Sequence, residues 1–404
     1  MKAVVFTLGC KVNEVESASI MSALEGLGWE VSEKLGYAEA YVLNTCAVTR
    51  EAEKKSRQLI ARVKKFNSDA KIFVCGCASE KSAHSFEERG VTFVCGARKK
   101  EQVVEEFCRL YGGTVKGLPY PKQVKSRAFI KIQDGCNNFC SYCIIPYLRG
   151  RETSREVEDI IKEVKTVSSP EIVLNGINIS AYEGGLSRLI RALSGVDKRI
   201  RLGSLECSAV TEELLEALKG LKDFAPQFHL SLQSGSDAVL KSMNRHYTRA
   251  EYLDKCAMIY SAFPSAAITT DIIAGFAGET EEDFEKSLSI IEEAGFARVH
   301  AFAYSPREGT VAFKMKDVPP EVKSKRLHML LAAGKAAAEK FAQKFLGSVQ
   351  EIIAEEYSDG YTCGYTGNYI RVYVKGRLCA GEKYGVGLTG LFKDGVLAEI
   401  NGKE

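Results

Sequence analysis

From Lys2 to about residue 345, short strand-like runs alternate with helical stretches, and this alternation constrains the fold more than any other feature. The runs AVVFTLG, AYVLNTCAV, KIFVCGCA and VTFVCG are separated by helical stretches at residues 16–27, 50–66 and 100–111. Strands and helices of these lengths in turn imply βαβ units, hence a parallel sheet covered by helices. After a linker rich in glycine and proline, GGTVKGLPYPKQV, the alternation repeats six times: AFIKIQ, EIVLNGIN, RIRLGSLE, QFHLSLQ, AITTDIIAGF and RVHAFAYS. Six units exceed a mononucleotide-binding half and fall short of an eightfold barrel. The expectation is a partial (β/α)6 barrel, closed by the Ala/Lys-rich helix around residues 321–345. Thr280, followed by acidic residues, predicts a capped helix start. In the last stretch glycine, tyrosine and valine dominate (YTCGYTGNYIRVYVKG), the pattern of a small antiparallel β-barrel. The expected class is therefore α/β, with an N-terminal parallel-sheet domain (1–113), a barrel core (124–345) and a C-terminal β-barrel (346–404). Tyrosines in that last domain are expected to serve packing more than base stacking.

With 404 residues and 45% hydrophobic content, each segment can bury a core, which excludes disordered and fibrous classes. The longest apolar runs, such as IIAGFAG, fall far short of the roughly 20 residues of a membrane span. The opening MKAVVFTLGC is too short in its apolar part for a signal peptide, so it reads as a first strand of a cytoplasmic protein. In a reducing compartment the 13 cysteines are thiols, metal ligands or catalysts. Net charge is +3. A balance this mild neither demands nor excludes nucleic acid, and the last segment, at about −2, is no strong autonomous RNA binder.

The strongest local signal is CNNFCSYC, which places Cys136, Cys140 and Cys143 in C-x3-C-x2-C spacing directly after the first barrel strand. A βα loop there lies at the carboxyl face where barrel active sites are built. Three thiolates can hold three irons of a 4Fe-4S cube and leave the fourth iron open to chelate a small molecule. Zinc would need a fourth ligand nearby. The nearest histidine upstream is His84, and none follows closely. The five histidines are scattered and suggest no base or ligand constellation.

These cysteines, with Tyr142 before the last of them, resemble the radical S-adenosylmethionine (SAM) signature. The resemblance extends along the whole chain to the radical SAM methylthiotransferases: TLGCKVN, VLNTCAVT, VCGCASE, IPYLRGRETSR, HLSLQSGSDAVLKSMNRHYT, TDIIAGFAGET and YSPREGTVAFKM match that family's motifs. The last segment lies where the family carries its TRAM domain. The resemblance implies that Cys10, Cys46 and Cys77 hold a second, auxiliary 4Fe-4S cluster. Position alone leaves Cys75 and Cys77 open. The family's cysteine follows glycine, and Gly76 precedes Cys77, which leaves Cys75 as a buried thiol on the other face. TLGCKVN resembles the branch acting on N6-threonylcarbamoyladenosine in tRNA, whereas the isopentenyladenosine and ribosomal-protein branches usually read GCQMN and GCPKN. Two prolines usual in the branch are absent here, in GFAGE and HAFAYS.

By the same resemblance Tyr142 backs the SAM adenine, Asn175 and Gly176 face the methionine end, and Ile273 and Gly275 flank the adenine. Ser231 and Gln233 supply polar contacts, and Glu206 is placed to meet the SAM ammonium or else to form a strand-end salt bridge. Arg149, Arg151 and Arg155 are read as partners of a SAM carboxylate or of RNA phosphates. Arg50, Lys54, Lys55, Arg57, Arg62, Lys64 and Lys65, on one amphipathic helix, form either a tRNA surface or a solvated face. The implied chemistry is SAM cleavage to a 5′-deoxyadenosyl radical, hydrogen removal from adenine C2, and transfer of a methylated sulfur from the auxiliary cluster. It calls for tRNA, an external low-potential electron donor and a sulfur donor, and no membrane. The alternatives are a methylthiotransferase for isopentenyladenosine or a ribosomal protein and, remotely, an iron–sulfur electron carrier or RNA-binding protein without turnover.

Overall fold

The computed structural model describes residues 1–123 and 126–401. Val124, Lys125 and residues 402–404, at the ends of two expected segments, lie outside the described residues. The chain forms two compact units. The first comprises Met1–Gln123, Asp134–Glu152 and Ser305–Phe313.

Its sheet contains β1 (Lys2–Thr7), β2 (Glu30–Ser32), β3 (Ala40–Thr45), β4 (Lys71–Gly76) and β5 (Phe93–Val94), all parallel in the order β2-β1-β3-β4-β5. Helices α1 (Lys11–Gly26), α2 (Arg50–Lys64), α3 (Cys77–Lys81), α4 (His84–Glu87), α5 (Glu101–Tyr111) and α6 (Ile145–Arg149) complete the unit. Alternate strand residues fill two cores, because successive side chains leave a strand on opposite faces. Val5, Val42, Phe73 and Cys75 pack under α1 and α5, with Trp29. Val4, Tyr41, Leu43 and Val74 pack with Leu59, Ile60 and Val63 of α2. Two expected strands are shorter than their apolar runs. KIFVCGCA leaves the sheet at Gly76, whose φ of +106° turns the chain so that Cys77 opens a helix. VTFVCG contributes only Phe93 and Val94.

The second unit comprises Val124–Gln133, Thr153–Tyr304 and Lys314–Glu404. It contains β6 (Arg127–Asp134), β7 (Thr153–Ser154), β8 (Glu171–Gly176), β9 (Arg199–Leu202), β10 (Ser204–Leu205), β11 (Gln227–Leu230), β12 (Ala267–Ala274) and β13 (Arg298–Ala303). Strands pair as β7-β6-β8-β9 and β10-β11-β12-β13, and only Gly203 separates β9 from β10. Its N–H bonds Leu174 O at 2.8 Å, so β9 and β10 form one interrupted strand and the parallel sheet curls as a six-stranded half-barrel. Between and after the strands run α7 (Val157–Thr166), α8 (Leu186–Ala192), α9 (Glu212–Lys219), α10 (Asp237–Ser242), α11 (Arg249–Ala262), α12 (Glu281–Glu293) and α13 (Pro320–Gln343). Thr280 caps α12 in a reciprocal capping box with Asp283. Gly334 lets α13 approach β13: a Cβ there would lie 3.0 Å from Val299 Cβ.

A closed barrel follows, built of β14 (Val349–Ser358), β15 (Tyr361–Thr366), β16 (Arg371–Lys375), β17 (Lys383–Phe392) and β18 (Gly395–Ile400). It is fastened to the amino ends of the half-barrel strands. Arg127 Nε meets Glu355 at 2.8 Å, Arg201 Nη1 meets Gly367 O at 3.0 Å, and Arg199 pairs with Glu351. Tyr365 and Tyr369 stack at 4.7 Å, and the guanidinium of Arg127 lies 4.9 Å and 5.2 Å from their ring centres. Those tyrosines are packing residues. No helix among the described residues is long and apolar enough to cross a membrane.

Candidate active site

In the first unit Cys10 follows β1, Cys46 follows β3 and Cys77 follows β4, three adjacent parallel strands. Parallel strands bring their carboxyl ends to one edge, the usual ligand edge of such sheets. Asn13 on α1 ties two of the turns together, and Thr45 ties in the third. Its Nδ2 donates to Leu8 O at 2.9 Å and to Thr45 O at 3.1 Å. Thr45 Oγ1 in turn donates to Cys75 O at 2.7 Å and accepts from Ser79 N at 3.3 Å. The turns are close enough to require glycine. A Cβ on Gly9 would lie 3.1 Å from Cys46 Sγ, and one on Gly76 would lie 2.4 Å from Thr45 O. Cys75 faces the core with Val42 and Phe73, whereas Cys77 packs on the opposite face with Tyr41 and Leu43.

Burial pushes the Cys46 thiol up, with Cys10 adding to the rise and Arg149 and Arg307 opposing it. Burial also raises the Cys77 thiol, to about 11, against the pull of Arg149. No group of three or more His, Cys, Asp or Glu among the described residues is drawn together as tightly as a bound metal ion requires. The donor set nevertheless fits an iron–sulfur cluster. It offers three thiols at one sheet edge, glycine turns without room for side chains, and a buried guanidinium beside them.

The loop carrying Cys136, Cys140 and Cys143 belongs to the same unit and runs between β6 and α6. Gly135, at φ +73°, opens it, and a Cβ there would lie 2.1 Å from Arg151 O. Cys136 N donates to Gly150 O at 3.1 Å, Cys143 N to Cys140 O at 2.9 Å, and Asn137 N to Glu152 Oε1 at 3.0 Å. Ala312 N donates to Ser141 O at 2.8 Å, so the segment 305–313 braces the loop. Tyr142 stands on this loop, half-buried.

In the second unit the expected SAM contacts stand at the carboxyl ends of neighbouring strands. Asn175 and Gly176 end β8, Glu206 follows β10, Ser231 and Gln233 follow β11, and Ile273 and Gly275 close β12. Asn175 Nδ2 is buried with no hydrogen-bond partner, a donor available to a ligand. Gln233 adopts φ +71°, its N–H bonding Asp271 O and its carbonyl accepting from Ile273 N. Gly275, at φ +67°, presents its N–H to Glu279 Oε2 at 2.8 Å.

Several expectations need correction. Arg149 is fully buried and bonded to protein groups, so it cannot meet RNA phosphates. Arg155 spends its guanidinium on Asp159 and Glu163. Arg57 is paired with Glu53 at 2.7 Å, and Lys64 donates to Arg89 O at 2.6 Å. Arg50, Lys54, Lys55, Arg62 and Lys65 remain as exposed cations on or beside α2. Of the two readings of Glu206, the structure shows the salt bridge, with Arg245 at 2.9 Å, while the Ser231 backbone carbonyl accepts from Tyr247 at 2.8 Å. The histidines are not all scattered. His229 Nε2 lies 3.2 Å from Asp271, and its ring lies 5.7 Å from that of His300, because register aligns Asp271 with His300.

Sequence reasoning missed Glu53. It holds Arg307 at 2.6 Å, Arg57 at 2.7 Å and Lys81 at 3.3 Å. Although burial opposes ionisation, these cations hold its carboxyl at about 2. The acid sits among basic residues of α2, and that local excess is the only sequence signal for it.

A half-barrel of parallel strands whose first βα loop carries C-x3-C-x2-C defines a radical SAM enzyme. The model of the Radical SAM superfamily matches residues 130–291, and that of uncharacterized protein family UPF0004 matches residues 2–96. The chain is 38% identical over 364 residues to threonylcarbamoyladenosine tRNA methylthiotransferase MtaB of Bacillus subtilis, covering 83% of this chain and 80% of the relative. It is 36% identical over 363 residues to tRNA-2-methylthio-N(6)-dimethylallyladenosine synthase of Clostridium perfringens, covering 81% and 80%. Among solved structures, the radical S-adenosylmethionine methyltransferase TsrM of Kitasatospora setae aligns with a TM-score of 0.56 at 11% identity, covering 90% of this chain and 80% of that one. That likeness is one of fold. The chain belongs to the radical SAM methylthiotransferase family. It is an enzyme whose cofactors are SAM and 4Fe-4S clusters.

Proposed function

We infer that this enzyme converts N6-threonylcarbamoyladenosine, 3′ of a tRNA anticodon, to its 2-methylthio derivative. The observation that carries the substrate is KVN after Cys10, as in the branch that acts on this nucleoside. Relatives named for it are 36–39% identical to this chain. Those named for dimethylallyladenosine reach 36–38%, so overall identity discriminates little.

In this reading Cys136, Cys140 and Cys143 hold the cluster that meets SAM, and Cys10, Cys46 and Cys77 hold the auxiliary one. The bound cofactors supply radical chemistry, which the C2–H of adenine demands because it offers no acid to a base. In the second unit Asn175, Gly176, Ser231, Gln233, Ile273 and Gly275 bind and orient SAM, with the unpartnered Asn175 amide as a polar anchor. Glu206, paired with Arg245, stands beside these residues at the strand ends. Segments 1–113, 124–345 and 346–404 act as auxiliary-cluster domain, radical core and TRAM-like domain. An external low-potential donor and a sulfur donor complete the reaction in the cytoplasm.

The deciding experiment is mass spectrometry of tRNA nucleosides from a strain lacking the gene. Loss of 2-methylthio-N6-threonylcarbamoyladenosine is expected. Its full retention, with loss of the 2-methylthio isopentenyl nucleoside or of a methylthio group on a ribosomal protein, would overturn the reading.

The exposed cations beside α2 supply the electrostatics, since single-stranded loop bases are what proteins reach on RNA while phosphates are held by cations. Replacing Lys54, Lys55, Arg62 and Lys65 together by Ala should weaken tRNA binding. It should also flatten the salt dependence by about three to four phosphate contacts. SAM cleavage without RNA should not change. Filter binding across a salt series checks this, and an unaltered slope would remove α2 from the tRNA surface.

A further inference from the structure

Arg149 is a charged side chain at 0% exposure, a costly placement that persists only with fixed partners. Its partners are all in the first unit. Nη1 lies 3.0 Å from Asp134 Oδ1 and 3.1 Å from Glu16 Oε1, and Nη2 lies 2.5 Å from Asn13 Oδ1 and 3.1 Å from Glu16 Oε2. Glu16 is further paired with the buried Lys100. Arg149 Nε is buried with no hydrogen-bond partner.

The sequence positions of these partners are informative. Asn13 is the residue whose amide ties the turns before Cys10 and Cys46. Asp134 stands two residues before Cys136, and Arg149 ends the helix after Cys143. Through Asn13, one guanidinium thus joins the turns that carry Cys10 and Cys46 to both ends of the loop bearing the other three cysteines.

We propose that Arg149 is a positioning residue for the auxiliary cluster: it fixes the cysteine triad against the radical SAM loop and supplies the positive charge that faces the thiolates. The proposal rests on Cys10, Cys46 and Cys77 being the auxiliary ligands. Arg149 meets the carboxylates of Glu16 and Asp134, and Lys100 also pairs with Glu16. Removing the Arg149 charge leaves an excess of negative charge beside the thiolates, which disfavours adding an electron. Removing the Glu16 charge has the opposite sign.

Holoprotein reconstituted without oxygen supplies the test, read by iron content, EPR of the reduced clusters and potentiometric titration. Arg149→Gln should lower the potential of one of the two clusters and alter its EPR signal, leaving the other unchanged. Glu16→Gln should raise the same potential. Arg149→Lys should restore most of the lost potential, although not the two-pronged hydrogen bonding. A silent Arg149→Gln, shifts of the same sign in both Gln variants, or Arg149→Lys no closer to wild type than Arg149→Gln would each overturn the proposal. If Arg149→Gln does not fold, a potential raised above wild type in Glu16→Gln, at one cluster only, still supports the proposal, and an unchanged or lowered one overturns it. Failure of the ligand assignment is separate: the Cys10, Cys46, Cys77 triple Ala variant would then keep all of its iron.

Discussion

Anaerobically reconstituted protein should hold about eight irons, and the Cys136→Ala, Cys140→Ala, Cys143→Ala variant should keep about four and lose SAM cleavage entirely. The complementary Cys10→Ala, Cys46→Ala, Cys77→Ala variant should also keep about four irons, cleave SAM and transfer no methylthio group. The asymmetry follows from where the thiols stand. Cys136, Cys140 and Cys143 share one loop after β6, the position from which a barrel enzyme presents its reactive cofactor. The other three come from three strand ends of a separate parallel sheet. Iron analysis with an assay for 5′-deoxyadenosine and methionine reads both variants. Zinc in the wild-type protein, or SAM cleavage surviving loss of the loop cysteines, would refute the assignment.

What could be read from the sequence was what is local. Period-2 and period-3.6 patterns are set by neighbours a few residues apart, so the βα alternation of both sheets was legible. The C-x3-C-x2-C spacing lies within one loop and was legible for the same reason. Arg149 was not. In IPYLRGRETSR it stands among exposed-looking cations, and nothing nearby reveals that Asn13 and Glu16, 136 and 133 positions earlier, will enclose it. The basic run of α2 misled in the same way. Lys64 finds its acceptor on Arg89, outside the helix, and Glu53 gathers Arg57 together with Lys81 and Arg307 from distant segments. Charge in a sequence is a property of residues, whereas its availability is a property of tertiary partners. Glu206 illustrates the point once more, since only the fold brings Arg245 to it.

Cys77→Ala should abolish methylthiolation while SAM cleavage persists, whereas Cys75→Ala should lower stability by about 1 kcal/mol and leave transfer intact. The two thiols are separated by one glycine, yet Cys75 lies in the core with Val42 and Phe73 while Cys77 lies on the face shared with Tyr41 and Leu43. Gly76 enforces that separation. At φ +106° it adopts a backbone that residues with a Cβ rarely occupy, and the added atom would lie 2.4 Å from Thr45 O and 2.6 Å from Thr45 N. The conformation alone costs a non-glycine residue of order 1–3 kcal/mol, and the contact with backbone cannot be relieved by a rotamer change. Gly76→Ala must therefore move either β3, with Cys46 behind it, or the start of α3, with Cys77. Both movements spread the auxiliary triad. The expected phenotype of Gly76→Ala is that of Cys77→Ala: about four irons, SAM cleavage retained and transfer lost. Thermal unfolding of the same samples distinguishes displacement of the ligands from collapse of the sheet. If Cys75→Ala abolishes transfer and Cys77→Ala does not, the third ligand is the other thiol and Gly76 serves only the turn.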